Sequence, residues 1–375
     1  MLQNLISIHP FSPISTMSQP HPKSIYLNSS GELAVKEVKD SYIPQGSQSL
    51  VKVQYSGINQ CDLNFFHAGL HSYITGFDLA GTVVEAGPTS PFKVGDIVCG
   101  MSPVSFPKPS SVGTHQDLAI GEADLLYPVP TGLGLKDSGA VCLTAQTAID
   151  ALFNGLGFGL PGANFGGKHT KDHPILIWGG ASSVGVLAIR IAKAVGFNPI
   201  FTTASPKNHA TLKSLGATEC FDYKATSVAD DIQTAAKARG VTLTTAFDTV
   251  GNGLMIPGVK AELTSPALTK KALSGNSGSE YLNLVCTLPV PNDTAFKSCF
   301  SYRPSGSVGP MGGPQDAEAP IRIRKAMEYF LRSREVVLKF PQVTVVKGAE
   351  EGIREIGRVA GGGASLEKVV IEHPM

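Results

Sequence analysis

The sequence predicts an α/β protein of two domains, a β-rich barrel followed by a doubly wound α/β domain. Residues 25–145 contain short alternating strands separated by Gly/Pro turns, such as SLVKVQYSGI, AGTVVEAGP and VGDIVCG. From about Thr144 the pattern changes to strand, helix, strand, helix, as in ILIWGG followed by GVLAIRIAKAVGF. The chain of 375 residues, 42% of them hydrophobic, is long enough to bury both cores.

The composition argues against several classes of protein. A formal net charge of +1 without a Lys/Arg cluster disfavours nucleic acid as a partner. No apolar run reaches the ~18 to 20 residues that cross a bilayer, so we expect no membrane association. Six widely spaced cysteines match neither a disulfide framework nor a metal knuckle, which favours reduced thiols and a cytoplasmic location. The first 16 residues lack Lys and Arg, so no targeting peptide is expected.

A glycine-containing loop joins an apolar strand to a helical pattern in ILIWGGASSVG, residues 175–185. Such a loop directs backbone N–H groups and the positive end of the helix dipole towards a pyrophosphate. Gly179 and Gly185 stand at the first and third glycine positions, and Ser182 replaces the middle one. The motif predicts a bound dinucleotide, and an ordinary Gly-rich turn is the alternative.

The end of the next strand, NPIFTTASPKN, indicates which dinucleotide binds. An NAD enzyme would place an acidic residue here for the ribose 2′-hydroxyl, and this chain has Ser205 and Lys207 instead. Because a hydroxyl group and a cation suit a 2′-phosphate, NADPH is the predicted cofactor. The alternative is a lysine that is merely solvated.

Six segments together resemble the medium-chain dehydrogenase/reductase superfamily: AGTVVEAG, VGDIVCG, the glycine loop, KSLGATECFDYKA, FDTVG and EKVVIE. The resemblance implies a GroES-like barrel and a Rossmann domain. Within the superfamily, TASPKN with FDYKA and the insert GLGFGLPGANFGGKHTKDHP resemble the fungal trans-acting enoyl reductases of polyketide biosynthesis. They also resemble quinone-oxidoreductase-like relatives from toxin clusters.

We expect four segments along the chain. Residues 1–22 form a disordered extension, residues 23–144 a GroES-like substrate and catalytic domain, and residues 145–304 a Rossmann NADP-binding domain. Residues 305–375 return to complete the GroES-like domain.

The resemblance assigns cofactor contacts residue by residue. The pyrophosphate falls to the glycine loop, and the 2′-phosphate to the Ser-Pro-x-Asn segment and the tyrosine of FDY. A packing aromatic is the alternative for that tyrosine. The full predicted set is Asn59, Asp62, Gly180, Ala181, Ser182, Ser183, Val184, Ser205, Lys207, Asn208, Tyr223 and Leu288.

The sequence departs from the zinc enzymes of the superfamily at two ligand positions. Catalytic zinc needs three protein ligands from Cys, His or carboxylate. The first ligand cysteine of those enzymes lies three residues before an aspartate, and the matching residue before Asp62 is Asn59. Their GHE motif is replaced by Gly76-Phe77-Asp78. We therefore expect no metal and metal-independent chemistry.

The sequence also departs from the enoyl reductases. Where relatives carry a lysine two residues after the loop aspartate, this chain has Asn64, which can donate a hydrogen bond but has no titratable proton. Gln146 replaces a tyrosine that is common near the nicotinamide. Asn64 and Thr144 are the predicted catalytic residues, whereas Asp62 has an alternative role in orienting its loop. Apolar pieces near the expected cleft predict Phe158, Gly309 and Met311 as substrate contacts.

Three functions remain open from the sequence. The first and favoured one is an NADPH-dependent reductase of an activated C=C bond, acting on a small or carrier-bound apolar substrate, with a polyketide synthase as a candidate partner. The second is a non-redox cyclase or isomerase that keeps the NADP site, and the third is a non-catalytic partner protein. Pro289 and Pro291, after the YLNLVCTLP strand, would hinder strand pairing across a dimer, which slightly favours a monomer.

Overall fold

The computed structural model describes residues 22–274, 281–333 and 335–375. The expectation for residues 1–22 therefore lies almost wholly outside the described residues. The strands are β1 (Lys23–Leu27), β2 (Leu33–Glu37), β3 (Ser49–Gly57), β4 (Tyr73–Ile74), β5 (Asp78–Ala86), β6 (Ile97–Met101), β7 (Leu118–Gly121), β8 (Leu126–Pro128), β9 (Ile175–Trp178), β10 (Ile200–Thr203), β11 (Glu219–Phe221), β12 (Thr245–Asp248), β13 (Asn283–Cys286), β14 (Phe296–Ser298), β15 (Gln342–Lys347) and β16 (Glu367–Glu372).

The α-helices are α1 (Cys61–Asn64), α2 (Leu135–Ser138), α3 (Cys142–Ile149), α4 (Ser183–Val195), α5 (His209–Leu215), α6 (Val228–Ala238), α7 (Ser265–Ser274), α8 (Ala319–Leu331) and α9 (Gly348–Ala360). Single 3₁₀ turns occur at Phe65–Ala68, Ser110–Val112, Ala123–Leu125, Pro161–Ala163, Pro206–Asn208 and Ala261–Leu263. Helix α3 continues directly into a π-helical turn, Asp150–Gly155.

The first half of the chain forms a barrel of mainly antiparallel strands. Its larger sheet has the order β15-β16-β3-β5-β6-β8, with β7 also paired to β3, and a smaller sheet has the order β2-β1-β4. The last strand, β16, runs antiparallel to β3 and places Val370 opposite Gly57. The C-terminal segment therefore lies beside the loop that follows β3.

The second half is a parallel sheet of the order β11-β10-β9-β12-β13-β14 with helices on its faces. The chain leaves β9 towards β10 and β11 on one side and then crosses to β12 on the other side, so the strand order reverses between β9 and β12. Ligands of such sheets bind outside the carboxyl ends of the strands at this reversal. The predicted fold class, a GroES-like barrel with a doubly wound Rossmann domain, is confirmed.

The strand of YLNLVCTLP lies inside the sheet and not at its edge. This strand, β13, pairs with β12 on one side and with the three-residue β14 on the other side, both in parallel register. Pro289 and Pro291 therefore follow an interior strand, and the edge that a second copy could meet is β14. The monomer remains a prediction. The shortness of the edge strand β14 supports it, whereas the two prolines do not.

A buried ion pair fixes the segment after β14 to the end of α3. The Asp150 carboxylate is fully buried and accepts hydrogen bonds from Arg303 Nε at 2.5 Å and Nη2 at 2.9 Å. It also accepts bonds from the Phe300 amide at 2.8 Å and from Asn154 Nδ2 at 2.7 Å. The bidentate geometry and the added donors satisfy a carboxylate that would be costly to bury alone.

Replacing Arg303 with Met should lower the free energy of unfolding by about 3 to 5 kcal/mol, because the Asp150 charge stays buried without its partner. The matched control is Lys271→Met, which breaks an exposed ion pair with Asp230 and should cost less than about 1 kcal/mol. Urea denaturation followed by circular dichroism measures both. Equal losses in the two variants would contradict the assignment of Asp150–Arg303 as the stabilising pair.

Candidate functional site

The glycine loop lies at the carboxyl end of β9, where the sheet order reverses. Ser182 caps α4 by accepting a hydrogen bond from the Gly185 amide at 2.9 Å. A Cβ atom on Gly180 would lie 2.1 Å from Thr202 Oγ1, and one on Gly185 would lie 2.3 Å from the Gly179 carbonyl oxygen. Only glycine allows this approach of strand and helix. The positive end of α4 consequently faces the carboxyl edge of the sheet.

Two neighbouring segments hold this loop in place. Thr249, in the FDTVG motif after β12, lies 2.9 Å from Ser182 through their hydroxyl oxygens. The Leu366 amide, just before β16, donates to the Ala181 carbonyl at 2.9 Å. Residues 181–184 remain partly accessible. The predicted pyrophosphate residues therefore form one surface, and the return segment of the barrel borders it.

The residues predicted to hold a 2′-phosphate meet at the ends of β10 and β11. Thr203 lies opposite Phe221 in the parallel register, so the two segments that follow leave the sheet side by side. Lys207 and Tyr223 are exposed there, and Ser205 is partly exposed. A hydroxyl group and a cation are therefore accessible to an anion at this edge.

Two other predicted cofactor residues lie at the same edge, and both already contact other residues of the protein. Asn208 is buried and donates through Nδ2 to Ser365 Oγ at 2.9 Å. Leu288 follows β13 and packs against Gly251. A Cβ atom on Gly251 would lie only 2.9 Å from Leu288 Cδ1. Both residues border the cleft between the domains.

The loop after β3 is fixed by Asp62, which is fully buried. Its carboxylate accepts hydrogen bonds from the Asn59 amide at 2.7 Å and from the Gly76 amide at 3.1 Å. His115 Nε2 lies 3.3 Å from Asp62 Oδ2, and His115 Nδ1 lies 2.9 Å from Ser56 Oγ. These contacts give Asp62 the loop-orienting role that was the alternative in the sequence.

A second buried carboxylate, Asp78, joins three parts of the fold. Its Oδ1 accepts the Leu143 amide at the start of α3 at 2.7 Å, and its Oδ2 accepts Asn59 Nδ2 at 2.9 Å. Lys368 Nζ, from β16, lies 3.4 Å from Asp78 Oδ2 and donates to Asn59 Oδ1. Burial raises the pKa of Asp78, and the Lys368 charge opposes this shift. The side-chain amide of Asn59 is thus held by hydrogen bonds within the protein.

The two predicted catalytic residues also make structural contacts. Asn64 is partly buried, and its Nδ2 donates to the Ala360 carbonyl at the end of α9 at 3.2 Å. Thr144 is buried, and its hydroxyl donates to the Val141 carbonyl at 3.2 Å. Neither residue supplies a titratable proton to the cleft.

Gln146 lies one turn after Leu143 in α3. Its side chain is 2% exposed, and its amide Nε2 is a hydrogen-bond donor without a partner among the described residues. A buried amide without a partner is costly unless a ligand satisfies it. The glycine loop and the N-terminus of α4 fit the pyrophosphate of a nicotinamide dinucleotide, and this orphan donor is a buried polar group that a ligand would satisfy.

The predicted substrate residues do not gather. Phe158 is 1% exposed and packs on His173 and Phe197, with ring centroids 4.9 and 4.7 Å away. Those two residues precede β9 and β10, so Phe158 lies at the amino edge of the sheet, opposite the glycine loop. Its prediction as a substrate contact is therefore wrong, because the insert folds under the sheet and not over the cleft.

The other two predicted substrate residues, Gly309 and Met311, lie in a surface turn after β14. The Gly309 amide donates to the Gly313 carbonyl at 2.7 Å, and Met311 is 74% exposed at the tip of the turn. No contact between this turn and the glycine loop is seen, so their assignment stays a prediction.

A buried lysine that the sequence analysis missed lies beside the Asp62 loop. Lys108 Nζ donates to the Gly76 carbonyl at 2.8 Å and to Ser102 Oγ at 3.0 Å, and it lies 3.5 Å from the centroid of the Phe77 ring. Burial lowers the pKa of Lys108 to about 7. The segment VSFPKPSSVG gives only a weak signal for this position, a single charge within a Pro/Ser loop.

The residues at the former ligand positions do not fit a catalytic zinc. Asn59 is bonded to Lys368, and Phe77 offers a ring with an ammonium group above it. Within the part of the chain that the structure describes, no three His, Cys, Asp or Glu side chains come together as ligands for a metal ion. No helix in that part has the length and apolar character that crossing a membrane requires.

Two family models match the chain. Residues 45–141 match the alcohol dehydrogenase GroES-like domain, and residues 183–260 match the zinc-binding dehydrogenase family. The first match covers the barrel with the Asp62 loop, and the second covers α4 and the strands that follow the glycine loop.

Curated fungal proteins are similar in sequence. A dehydrogenase of Aspergillus niger is 35% identical over 233 residues, which cover 61% of this chain and 64% of that protein. A trans-enoyl reductase of Penicillium citrinum is 30% identical over 59% of this chain and 61% of its own length. The match thus spans less than two thirds of these two relatives. A trans-enoyl reductase of Pyricularia oryzae is 30% identical over 284 residues, covering 73% of this chain and 72% of that protein.

Solved structures share the fold. An alcohol dehydrogenase superfamily protein from Novosphingobium aromaticivorans superposes with a TM-score of 0.68 at 23% identity, covering 94% of this chain and 99% of that one. A quinone oxidoreductase from Pseudomonas syringae gives a TM-score of 0.65 at 19% identity, covering 94% and 100%. Sequence and fold agree, and the chain belongs to the medium-chain dehydrogenase/reductase superfamily, with fungal trans-enoyl reductases among its relatives.

Proposed function

We propose that this chain is an NADPH-dependent, metal-independent reductase of an activated C=C bond in fungal-type secondary metabolism. The single observation that carries the proposal is the combination, in one chain, of a dinucleotide-type glycine loop with Asn59 and Phe77 at the two positions where the zinc enzymes carry metal ligands. A ketone reductase of the zinc type polarises its substrate with a metal at that place, whereas conjugate reduction needs only a positioned nicotinamide and a protein group that stabilises an enolate.

The dinucleotide would supply a hydride to the β-carbon of the unsaturated substrate. The protein would hold its pyrophosphate at the N-terminus of α4, and Gln146 Nε2 is available to bind the carboxamide of the nicotinamide or the substrate carbonyl. The curated relatives named trans-enoyl reductases support this class of reaction. A carrier-bound polyketide chain is the substrate class that those names favour, with a polyketide synthase as the partner.

The preference for NADPH rests on the edge formed by Ser205, Lys207 and Tyr223. Lys207 is exposed, forms no ion pair with another described residue and follows the strand end where the ribose lies in such folds. No acidic side chain occupies the Ser-Pro-Lys-Asn segment, so nothing there repels a 2′-phosphate.

The reaction is tested with NADPH deuterated at C4 and a panel of α,β-unsaturated thioesters and ketones. We expect a product one deuterium heavier than the unlabelled product, with the label on the β-carbon, because the hydride is transferred directly. Mass spectrometry and NMR locate the label. A new product that lacks deuterium and forms equally without NADPH would replace this proposal with the cyclase or isomerase.

Lys207→Ala should weaken NADPH binding about 10-fold or more and leave NADH binding nearly unchanged, because only the 2′-phosphate needs the cation. A charge-assisted hydrogen bond contributes about 1.5 to 3 kcal/mol, and about 1.4 kcal/mol is tenfold in affinity. Fluorescence titration of both dinucleotides measures the difference. The control is Lys237→Ala, an exposed lysine near the end of α6. Equal weakening of NADPH and NADH would remove the 2′-phosphate assignment.

Gly185→Ala should weaken both dinucleotides alike, because the new Cβ atom would lie 2.3 Å from the Gly179 carbonyl and push the loop away from the helix. Gly357→Ala is the matched control, since nothing lies within 4 Å of a Cβ atom there in α9. The same titrations, with thermal unfolding of both variants, provide the measurement. Unchanged affinity in Gly185→Ala would show that the pyrophosphate is held elsewhere.

A further inference from the structure

Lys108 carries a buried charge without a carboxylate partner. Lys108 is 7% exposed, and its ammonium donates its two hydrogen bonds to neutral groups, the Gly76 carbonyl and the Ser102 hydroxyl. Among the described residues, Lys108 forms no ion pair within 4.0 Å. An ammonium group so placed is costly to desolvate. Its third N–H has no hydrogen-bond acceptor among the described residues.

The other buried lysine at the site shows the contrast. Lys368 is 2% exposed and lies within an ion pair to Asp78 with an added bond to Asn59. That pair joins β16, β5 and the loop after β3, so its charge has a structural explanation. Lys108 joins only the ends of β5 and β6, which a neutral donor could do equally well.

Aromatic rings and two unsatisfied hydroxyl groups surround Lys108. Phe65 contacts Phe77 and Phe106 edge to face, with ring centroids 5.8 and 5.7 Å away, and Tyr73 contacts Phe106 at 5.2 Å. Tyr73 Oη is buried without a hydrogen-bond partner among the described residues. The same is true of Thr114 Oγ1, which borders Gly76. Two buried hydroxyl groups without partners beside an ammonium that forms no ion pair within 4.0 Å are the features that a polar ligand atom would satisfy.

By the resemblance to the zinc enzymes of the superfamily, Lys108 lies next to a metal-ligand position. Phe77 stands where those enzymes carry their histidine ligand, and the Lys108 ammonium lies 3.5 Å from the centroid of its ring. The chain therefore places a cation of its own beside the position from which a metal would polarise a carbonyl group.

We propose that Lys108 is a catalytic residue whose ammonium binds the substrate carbonyl oxygen and donates the proton that completes the reduction. This inference rests on the proposed function. It assigns to Lys108 the role that the sequence analysis sought at Asn64.

The proposed step conserves protons and electrons. Once the β-carbon has received hydride, the electron pair of the C=C bond lies on the α-carbon and the carbonyl oxygen as an enolate. The Lys108 ammonium stabilises this anion and transfers one proton from Nζ to the α-carbon, which breaks an N–H bond and forms a C–H bond. Lys108 is left as a neutral amine, and a proton from solvent recharges it.

The charges around Lys108 fit this role. Burial lowers its pKa to about 7, and the nearby Asp62 and Cys61 partly oppose that shift. Burial and Asp62 raise the pKa of the Cys61 thiol, and burial raises the pKa of Tyr73, so both face Lys108 as neutral groups. Both forms of Lys108 are therefore accessible near neutral pH, as an acid that must be recharged requires. Because the charged form is the active one, kcat/KM should fall as the pH rises through a midpoint near 7.

The kinetic test compares Lys108→Met and Lys108→Gln with the unchanged protein on the substrate found in the deuterium experiment. Glutamine keeps a donor for Gly76 and Ser102, so this variant preserves the local hydrogen bonds if methionine disturbs folding. We expect kcat to fall about 100-fold in both, at the lower end of the range for a lost general acid. NADPH affinity should be unchanged, and the pH midpoint should vanish. Lys168→Met, at an exposed lysine of the insert whose Nζ donates to the Leu156 carbonyl at 3.1 Å, is the control and should retain activity.

A binding test that needs no reduction uses acetoacetyl-N-acetylcysteamine, a β-keto thioester that ionises to an enolate. With oxidised dinucleotide bound, the unchanged protein and Lys168→Met should raise the enolate absorbance of the probe at pH 7. Lys108→Gln and Lys108→Met should not, because the cation that stabilises the enolate is missing.

The outcomes separate the two proposals. If no unsaturated substrate is reduced but the enolate signal depends on Lys108, the proposed reduction fails and the role of Lys108 towards an enolate stands. If reduction occurs and both Lys108 variants keep the kcat, the pH profile and the enolate signal of the unchanged protein, the inference about Lys108 is overturned. The same holds if the unchanged protein gives no enolate signal between pH 6 and pH 9.

Discussion

The buried network around Asp78 is the contact on which the arrangement of the site depends. One oxygen of this carboxylate holds the start of α3, and the other accepts Asn59 Nδ2 and faces Lys368 of the last strand. Since α3 packs against both the barrel strand β6 and helix α4 of the second domain, Asp78 ties the two halves together at the cleft. Losing one member of such a network leaves another charge buried without its partner, which is strongly destabilising.

Backbone geometry, more than side chains, defines the dinucleotide side of the cleft. The strand order reverses between β9 and β12, which opens a crevice at their carboxyl ends. Gly180 and Gly185 let the loop approach the sheet and helix more closely than any Cβ atom allows. Thr249 then bonds the loop to the next strand, and Leu366 bonds it to the returning segment of the barrel. The predicted cofactor site is thus bordered by both domains although its motif lies in one.

The substrate side of the proposed cleft, in contrast, is defined by buried charged side chains. Asp62, Asp78 and Lys368 are buried with partners, and their hydrogen bonds explain why they are tolerated. Among the residues that the structure describes, Lys108 forms no ion pair, and the hydroxyl groups of Tyr73 and Thr114 near it have no hydrogen-bond partner. A preorganised cation in a water-poor pocket stabilises a developing anion without reorganisation at the moment of reaction. This is the physical basis on which a chain with Asn59 and Phe77 at the metal positions could still polarise a carbonyl group.

The sequence by itself determined the fold class, the superfamily and the dinucleotide loop, because these depend on local periodicity and on glycines within a few residues of one another. It also placed Ser205, Lys207 and Tyr223 at strand ends, where the parallel register brings them together. Only the tertiary structure decided that Phe158 lies at the amino edge of the sheet, that β14 covers β13, and that Asn64 bonds to α9. It alone showed Lys108 beside Phe77, since the burial of a charge depends on segments about 30 residues apart that meet only after folding. Local patterns reveal which residues share an element, whereas the partners of a buried charge are set by packing between elements.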